Sequence, residues 1–250
     1  MTSTPKIDVV ILTWNDGPLL DAAIASTLAS EGVDLTITVV DNGSTPPAVV
    51  PADARIQIVR NEVNRGVRAR NQGVAVGTAP IAVFVDSDVR VLPDTLSRLV
   101  AAVEAAPDIA LAAPVFVDQT PEASAGRAPG LRRKLARVAG LTSVYGSTRR
   151  TAEAVWDVDF SITACVVFRR AAFEAVGGLD ERYFYGPEDL DLCLRLKTAG
   201  WRVVQVGDAR CIHPPRRRNR GLFSRRGLRH AFAVLRHLWR HRHFSPQASR

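Results

Sequence analysis

The chain has 250 residues, of which 46% are hydrophobic and 23% charged, so it is long and apolar enough to bury a full core. No apolar run approaches the ~18 residues needed to span a bilayer. Eleven of the 33 lysines and arginines lie in residues 214–250, which contain no acidic residue, so residues 1–213 hold 22 basic against 25 acidic side chains. The formal charge of +8 therefore belongs to a cationic C-terminal tail on a slightly acidic globular part.

Strands and helices alternate through the first ninety residues. Four apolar runs rich in β-branched residues predict strands, over 6–14, 35–40, 55–60 and 81–86. Two segments with apolar residues at helical spacing predict helices, over 19–28 and 67–76. This alternation favours right-handed βαβ units and a mainly parallel, Rossmann-like sheet flanked by helices, an α/β fold.

The second half of the chain continues the pattern after one interruption. Helices are predicted from Pro93, over 171–176 and from Pro187 to Gly200, and strands over 109–117, 160–168 and 201–206. Residues 118–153 instead collect glycines, prolines and a cationic run, which predicts a long mobile segment over the site. No internal repeat is visible in residues 1–213.

The N-terminal residues and the cysteines indicate the cellular compartment. Residues 1–8 carry a single lysine and lead directly into a strand, unlike a signal peptide, so we expect a cytoplasmic protein. The three cysteines, Cys165, Cys193 and Cys211, are odd in number and share no close spacing. This argues against a disulfide framework or a zinc site and predicts reduced, packed thiols.

Two carboxylates, Asp86 and Asp88, follow the strand over 81–86, and Asp41 ends an earlier strand. An unpaired buried charge is costly, so these acids mark the point where the strands leave the core, which is the ligand-binding edge of an open α/β sheet. Two hard oxygen ligands suit Mg²⁺ or Mn²⁺ completed by substrate phosphates. Alternate residues of a strand face opposite ways, so both acids reach one ion only if the backbone turns at Ser87. The alternative is a plain turn that caps the next helix.

Over residues 6–213 the chain resembles the family 2 glycosyltransferases, inverting enzymes with the GT-A fold of nucleotide-diphospho-sugar transferases. The resemblance is greatest to bacterial rhamnosyltransferase-like and galactofuranosyltransferase-like members. The motifs that carry it are Val9-Val10-Ile11-Leu12-Thr13-Trp14-Asn15, Val39-Val40-Asp41-Asn42-Gly43-Ser44, Asn64-Arg65-Gly66, Ala69-Arg70-Asn71, Val85-Asp86-Ser87-Asp88 and Glu188-Asp189-Leu190-Asp191-Leu192.

The resemblance implies a donor site along the acidic edge. Thr13 and Asp41 would lie against the nucleobase and ribose, and a carboxylate at a strand end is a fixed acceptor for their N–H and O–H groups. Gly66 and Arg70 would lie beneath the diphosphate, because glycine admits close backbone approach and arginine donates in pairs. Asp86 would lie nearer the ribose. Read by itself, the segment around Asp41 is also a plain turn.

The resemblance also implies a divalent metal, Mg²⁺ or Mn²⁺, with Asp88 as a direct ligand and Asp86 at the second coordination position. His213 matches a third ligand that some family members supply, and imidazole is a common metal ligand. Pro214 and Pro215 replace the small residues that usually follow this histidine in the family. A histidine of this kind is otherwise a surface or core residue.

Catalysis is assigned to Asp189 by the same resemblance. Inverting transfer needs one carboxylate to take the proton of the acceptor hydroxyl. Glu188 and Asp191 would position the sugar or the acceptor. The charge of Glu188 would raise the pKa of Asp189 and the helix amino end would lower it, and the sequence does not decide the balance. The alternative is three acids that cap a helix.

Residues 160–165 depart from the family pattern, because relatives usually have a Gly-Ala pair there that shapes the acceptor pocket. The tail, residues 214–250, lies outside the resemblance. On a helical wheel its 222–240 segment separates arginines from leucines and aromatics, which suits an anionic membrane surface at the inner face of the plasma membrane. Docking of this helix on the 1–213 domain is the alternative. A nucleic-acid arm fits less well, because stacking aromatics are scarce.

The sequence therefore predicts a metal-dependent inverting glycosyltransferase that moves a sugar from a UDP- or dTDP-sugar to a hydroxyl of a cell-envelope glycan or lipid-linked acceptor. A nucleotidyltransferase would have a glycine-rich basic loop after the first strand, and a dinucleotide-dependent oxidoreductase would have Gly-X-Gly-X-X-Gly; residues 13–18 contain neither. A non-catalytic nucleotide- or anion-binding protein that acts through its basic tail remains the other alternative.

Overall fold

A computed structural model describes residues 4–117, 124–128 and 154–214, together with Arg236 and Arg240. Most of the segment predicted to be mobile, 118–153, and the predicted helix over 222–240 lie outside these residues, apart from the two arginines. Within the described parts, no helix is long and apolar enough to cross a bilayer.

Eleven strands and five α-helices are described. The strands are β1 Lys6–Thr13, β2 Asp34–Asp41, β3 Ile56–Arg60, β4 Ile81–Asp86, β5 Arg90–Val91, β6 Ile109–Phe116, β7 Ala125–Gly126, β8 Val155–Asp157, β9 Phe160–Ser161, β10 Cys165–Arg169 and β11 Arg202–Ile212. The helices are α1 Pro18–Leu28, α2 Arg70–Val76, α3 Thr95–Ala105, α4 Arg170–Ala175 and α5 Glu188–Thr198, with a 3₁₀ turn at Val67–Ala69 before α2.

One nine-stranded sheet organises the molecule, in the order β3-β2-β1-β4-β10-β6-β11-β5, with β8 also paired to β11. The strands β3, β2, β1 and β4 are parallel, as the alternating pattern predicts. The strand β10 is antiparallel to both β4 and β6, and β11 is parallel to β6. The α/β fold is therefore confirmed, with antiparallel pairs in the second half of the sheet.

The sheet is buried on both faces, because successive residues of its strands alternate between two cores. Val9 and Val83 belong to the core that α1 and α3 cover. Val10 and Phe84 belong to the core that α2, α4 and α5 cover. This accounts for the near-continuous apolar runs of β1 and β4, which are typical of strands covered on both sides. The three cysteines are buried free thiols, as predicted.

Two predicted elements are wrong in detail. The apolar run over 160–168 is two strands, β9 and β10, separated by a turn at residues 162–164. Its first part leaves the main sheet and pairs with β7, which lies inside the segment predicted to be mobile. The helix predicted from Pro93 begins at Thr95, because the Thr95 hydroxyl accepts a hydrogen bond from the Leu92 N–H and closes a turn before the helix.

Candidate active site

The strand ends that carry acids meet at one edge of the sheet. Thr13 at the end of β1 is in register with Asp41 at the end of β2, and Leu12 is in register with Asp86 at the end of β4. The Asn42 N–H donates to the Thr13 carbonyl over 2.9 Å, which continues the alignment past the last residue of β2. The predicted ligand-binding edge is thus assembled from three parallel strands.

The chain turns immediately after β4. The Val89 N–H donates to the Asp86 carbonyl over 3.0 Å, and the Ser87 hydroxyl donates to the Asp16 carboxylate over 2.6 Å. The turn predicted at Ser87 is therefore present, and it is tied to the loop that follows β1. Because of this turn, Asp86 and Asp88 reach the same side of the edge.

Asp86, Asp88 and His213 converge there, with one ligand atom from each lying within 4.8 Å of the other two. His213 directly follows β11, its Nε2 lies 3.7 Å from Asp88 Oδ1, and its ring packs edge-on against Phe116 at 4.9 Å. Two carboxylates and an imidazole are a donor set that Mg²⁺ or Mn²⁺ accepts. Among the described residues, this is the one group of three or more acidic, histidine or cysteine side chains close enough to hold an ion.

Arg70 lies directly behind the acids. Its side chain is 4% exposed, its Nη2 donates to Asp86, and its Nη1 donates to the Thr163 hydroxyl over 3.1 Å. Its guanidinium also lies 5.4 Å from the centre of the Phe84 ring. Arg70 therefore holds Asp86 in place from the core. The diphosphate role that the resemblance implies for Arg70 stays a prediction.

Glu188 and Asp189 form the first turn of α5, where the helix dipole favours acids. Burial, followed by the repulsion of the Asp189 carboxylate, raises the pKa of Glu188 to about 8, against the opposing effect of Arg70. Glu188 therefore holds its proton more tightly than an ordinary glutamate does. Asp189 is half-buried, and its Oδ1 accepts the Leu190 N–H over 2.7 Å.

Thr13 and Asp41, the two residues implied to contact the nucleoside, differ in their surroundings. The Asp41 carboxylate accepts the Ser44 and Ala48 N–H groups and the Arg60 guanidinium. Burial by itself would raise the pKa of Asp41, and these hydrogen bonds outweigh it and lower the pKa below its ordinary value. Asp41 thus shapes the loop after β2. By contrast, the buried Thr13 hydroxyl has no hydrogen-bond partner among the described residues.

Gly66 and Asp191 both make close contacts within the protein. Gly66 has a φ of +72°, and a Cβ on it would lie 2.0 Å from the Phe184 carbonyl, so this glycine seats the loop that precedes α5. Asp191 is fully buried, and its carboxylate accepts the Arg195 Nε over 2.7 Å. Their predicted contacts with diphosphate and sugar remain predictions.

Two residues at this edge were not singled out from the sequence. The buried Asn42 side chain donates to the Asn64 side chain and the Gly66 carbonyl and accepts the Arg65 N–H, so it fixes the loop at 61–66. The buried Thr163 orients Arg70. The sequence did offer a signal for each residue. Asn42 belongs to the Asp41-to-Ser44 motif, and Thr163 belongs to the 160–165 segment that departs from the family pattern.

Solved structures share this fold. A mannosyltransferase from Pyrobaculum calidifontis, solved with GDP-Man and Mn²⁺, superposes with a TM-score of 0.67 at 17% identity, covering 99% of this chain and 67% of that one. GalNAc-T7, solved with UDP, GalNAc and Mn²⁺, gives a TM-score of 0.72 at 16% identity, covering 94% of this chain and 48% of that one. The chain therefore has the GT-A fold of glycosyltransferases.

The sequence comparisons define the family. Similar curated proteins include the N-acetylglucosaminyl-diphospho-decaprenol L-rhamnosyltransferase of Mycobacterium tuberculosis, 28% identical over 239 residues, with 84% of this chain and 76% of that protein covered. The pre-mycofactocin glycosyltransferase of the same organism is 32% identical over 201 residues, covering 78% of this chain and 40% of that protein. The family profile of glycosyl transferase family 2 matches residues 8–177. The chain belongs to this family, and the prediction of a rhamnosyltransferase-like glycosyltransferase is confirmed.

Proposed function

We propose that this glycosyltransferase is metal-dependent and inverting, and that it transfers a sugar from a UDP- or dTDP-sugar to a hydroxyl of a lipid-linked or cell-envelope glycan acceptor. The observation that carries the proposal is the convergence of Asp86, Asp88 and His213 at the sheet edge. The name of the mycobacterial relative makes L-rhamnose the first sugar to test and a polyprenyl-diphosphate sugar the first acceptor.

Asp86, Asp88 and His213 would hold the ion. When bound there, a divalent cation offsets the negative charge that develops on the departing nucleotide diphosphate. Arg70 keeps Asp86 oriented, and Thr163 keeps Arg70 oriented. The buried Thr13 hydroxyl has no hydrogen-bond partner in the described part of the chain, so it is available to the nucleoside beside the loop that Asp41 shapes. Mn²⁺ in both solved neighbours supports a metal of this class.

Asp189 takes the proton of the acceptor hydroxyl as that oxygen attacks the anomeric carbon. The new C–O bond forms on the face opposite the breaking bond to the diphosphate, which leaves with the electron pair, so the configuration inverts. A Glu188 that keeps its proton lets Asp189 remain the negative group of the pair. Glu188 lies at the edge of this site, where it can donate a hydrogen bond to the sugar or acceptor.

The test is thermal unfolding of the full chain with UDP or dTDP, each with and without Mn²⁺, for the native protein, Asp88→Ala and the exposed control Asp21→Asn. A nucleotide at a hundred times its dissociation constant stabilises the folded state by ~2.7 kcal/mol. We expect metal-dependent stabilisation by one nucleotide, lost in Asp88→Ala and kept in Asp21→Asn. Equal stabilisation in both variants would refute the metal site.

The chemistry is tested separately by transfer from dTDP-L-rhamnose to a polyprenyl-diphosphate N-acetylglucosamine acceptor. Asp189→Asn should lower kcat by at least a hundredfold and leave nucleotide binding intact, because it removes the base and keeps the shape. Full activity in Asp189→Asn would show that another group takes the proton.

The position of the enzyme in the cell is also a proposal. The cationic tail would draw it to an anionic membrane surface, where lipid-linked acceptors reside. Together with the lipid-linked substrate in the name of the mycobacterial relative, this supports a peripheral position at the inner face of the plasma membrane.

A further inference from the structure

One tail residue, Arg240, contacts the catalytic domain at two acids. Its Nη1 lies 2.5 Å from Asp180 Oδ2 and 3.6 Å from Asp191 Oδ1. Both acids are secluded, since the Asp180 side chain is 9% exposed and Asp191 is fully buried. A single guanidinium nitrogen thus contacts two secluded carboxylates, and removing one partner from a buried ion pair is costly because it leaves a charge uncompensated.

The two acids stand at opposite ends of the segment that carries the proposed base. Asp180 begins the 180–187 loop, and Asp191 lies in the first turn of α5, two residues after Asp189. Between them the loop reaches the donor side of the site, where the Phe184 carbonyl accepts the Val67 N–H over 3.0 Å. A contact that spans both ends of this segment fixes the position of Asp189 relative to the donor site.

Each acid also pairs with an arginine nearer to it in the sequence, Arg182 with Asp180 and Arg195 with Asp191. Arg240 adds a contact that joins the two acids. The hydrogen bonds that Arg182 donates to Asp180, together with the charges of Arg182 and Arg240, lower the pKa of Asp180, and burial raises it. The hydrogen bonds and charges outweigh burial and hold this pKa well below its ordinary value, so the carboxylate is charged at neutral pH.

Tyr183 lies in the same cluster and adds no negative charge to it. Its ring is fully buried. Burial and then the Asp191 and Asp180 carboxylates raise the pKa of Tyr183 to about 12, so it stays neutral. Losing Arg240 would therefore leave two neighbouring carboxylates without the cation that joins them.

We infer that Arg240 is a positioning residue: its side chain clasps the 180–191 segment and so sets the geometry of Asp189. The kinetic part of this inference rests on the base role proposed for Asp189. The clasp itself, the contact of Arg240 with Asp180 and Asp191, does not depend on it. Arg240 is then a part of the catalytic apparatus as well as a source of positive charge.

Arg236 provides the matched control. It lies four positions before Arg240 and is exposed, and its replacement changes the net charge by the same amount. Hydrogen exchange of the full chain, in the absence of vesicles, compares Arg240→Ala, Arg240→Lys and Arg236→Ala. We expect faster exchange of amides in 180–191 for Arg240→Ala, partial recovery for Arg240→Lys, because one ammonium can contact both acids, and native exchange for Arg236→Ala.

Kinetics with a detergent-solubilised acceptor separate positioning from general stability. Arg240→Ala should lower kcat about tenfold or more while the donor KM stays within about twofold, since a small displacement of a reacting group is costly. Asp180→Asn should reproduce the effect, and the double variant should be no worse than either single variant.

Unchanged exchange in Arg240→Ala, or equal effects of Arg240→Ala and Arg236→Ala, would overturn the clasp. The second result would mean that the tail acts through its overall charge. Failure of the proposed function looks different: Asp189→Asn would keep full activity while the exchange difference between the two arginine variants persisted.

Discussion

Individual side chains at the sheet edge are held by groups that lie far away in the sequence. Thr163 orients Arg70, and Arg70 in turn orients Asp86. The guanidinium is nearly inaccessible to solvent, so an acceptor lost from it is not replaced freely by water. The consequence is that the Thr163 hydroxyl influences Asp86, an acid of the proposed metal site.

Thr163→Val tests this chain of contacts. The substitution keeps the side-chain shape and removes the acceptor of Arg70 Nη1, so we expect the free energy of unfolding to fall by about 1–3 kcal/mol. The metal-dependent stabilisation by nucleotide should also weaken. Thr27→Val is the control, because Thr27 is equally buried and its hydroxyl donates only within α1, to the Ala23 carbonyl. Urea unfolding and thermal unfolding with nucleotide and Mn²⁺ provide the two readouts, and equal nucleotide effects in both variants would contradict the prediction.

Glu188 gives the protein a characteristic pH dependence. Its pKa is about 8 in the folded state and near 4.5 in the unfolded state. The raised pKa contributes stability that is fully present below pH 4.5 and is lost as pH rises through 8, because the unfolded chain releases this proton first. Glu188→Gln should remove this dependence. Between pH 5 and 8.5 the Tm of the variant should rise relative to that of the native protein.

Glu181→Gln is the control for that experiment, because Glu181 is exposed and lies in the neighbouring loop. Its Tm should follow that of the native protein at every pH. Parallel pH profiles for the native protein and Glu188→Gln would show that Glu188 is ionised in the folded state.

At the scale of elements, two loops pack against each other and join the proposed donor side to α5, the helix that carries the proposed base. Asn42 fixes the 61–66 loop, and Gly66 then fits directly against the Phe184 backbone. Asn71 adds a second connection, because its side chain exchanges two hydrogen bonds with the Leu179 backbone. The loop before α5 is thus fixed by the region between β3 and α2.

Gly66→Ala should disturb this packing. Alanine is strained at a φ of +72°, and its Cβ would lie 2.0 Å from the Phe184 carbonyl oxygen, so the loop must move. Gly177→Ala has a similar φ of +80° and meets nothing within 4 Å, so it measures the backbone effect separately. We expect Gly66→Ala to be about 1–3 kcal/mol more destabilising than Gly177→Ala in urea unfolding, and to lower kcat. Equal destabilisation would mean that the loop accommodates the methyl group.

At the scale of the whole molecule, charge is divided between a slightly acidic domain and an arginine-rich tail. The contact of Arg240 with Asp180 shows that part of this positive charge is used within the protein. Arg236 and Arg240 are both exposed, but among the described residues no contact of this kind holds Arg236, so we expect Arg236 to be available to a membrane. The two arginines should therefore differ in their effect on membrane binding.

Co-flotation with vesicles measures that difference. The full chain should bind vesicles containing phosphatidylglycerol, should not bind pure phosphatidylcholine, and should dissociate as salt is raised. Arg236→Ala should weaken binding up to about fivefold, as expected for one basic residue at a membrane surface, and Arg240→Ala should weaken it less than about twofold. The same loss in both variants would place both arginines at the lipid.

The strands and the acidic edge could be predicted from the sequence, because apolar runs and strand-terminal acids are local patterns. The predictions failed where local patterns do not distinguish alternatives. Residues 160–168 look like one strand, yet a turn at residues 162–164 divides them between two sheets. The antiparallel placement of β10 between β4 and β6 likewise depends on how the chain crosses the sheet, which hydrophobic periodicity does not record.

The sequence by itself determined the α/β class, the resemblance to a glycosyltransferase family, the acids of the edge and the separation of charge between domain and tail. Only the tertiary structure decided which other distant side chains meet: Arg70 with Asp86 and Thr163, and Arg240 with Asp180. The physical reason is that periodicity and turn chemistry act over a few residues. Contacts across dozens of residues depend on how complete elements pack together.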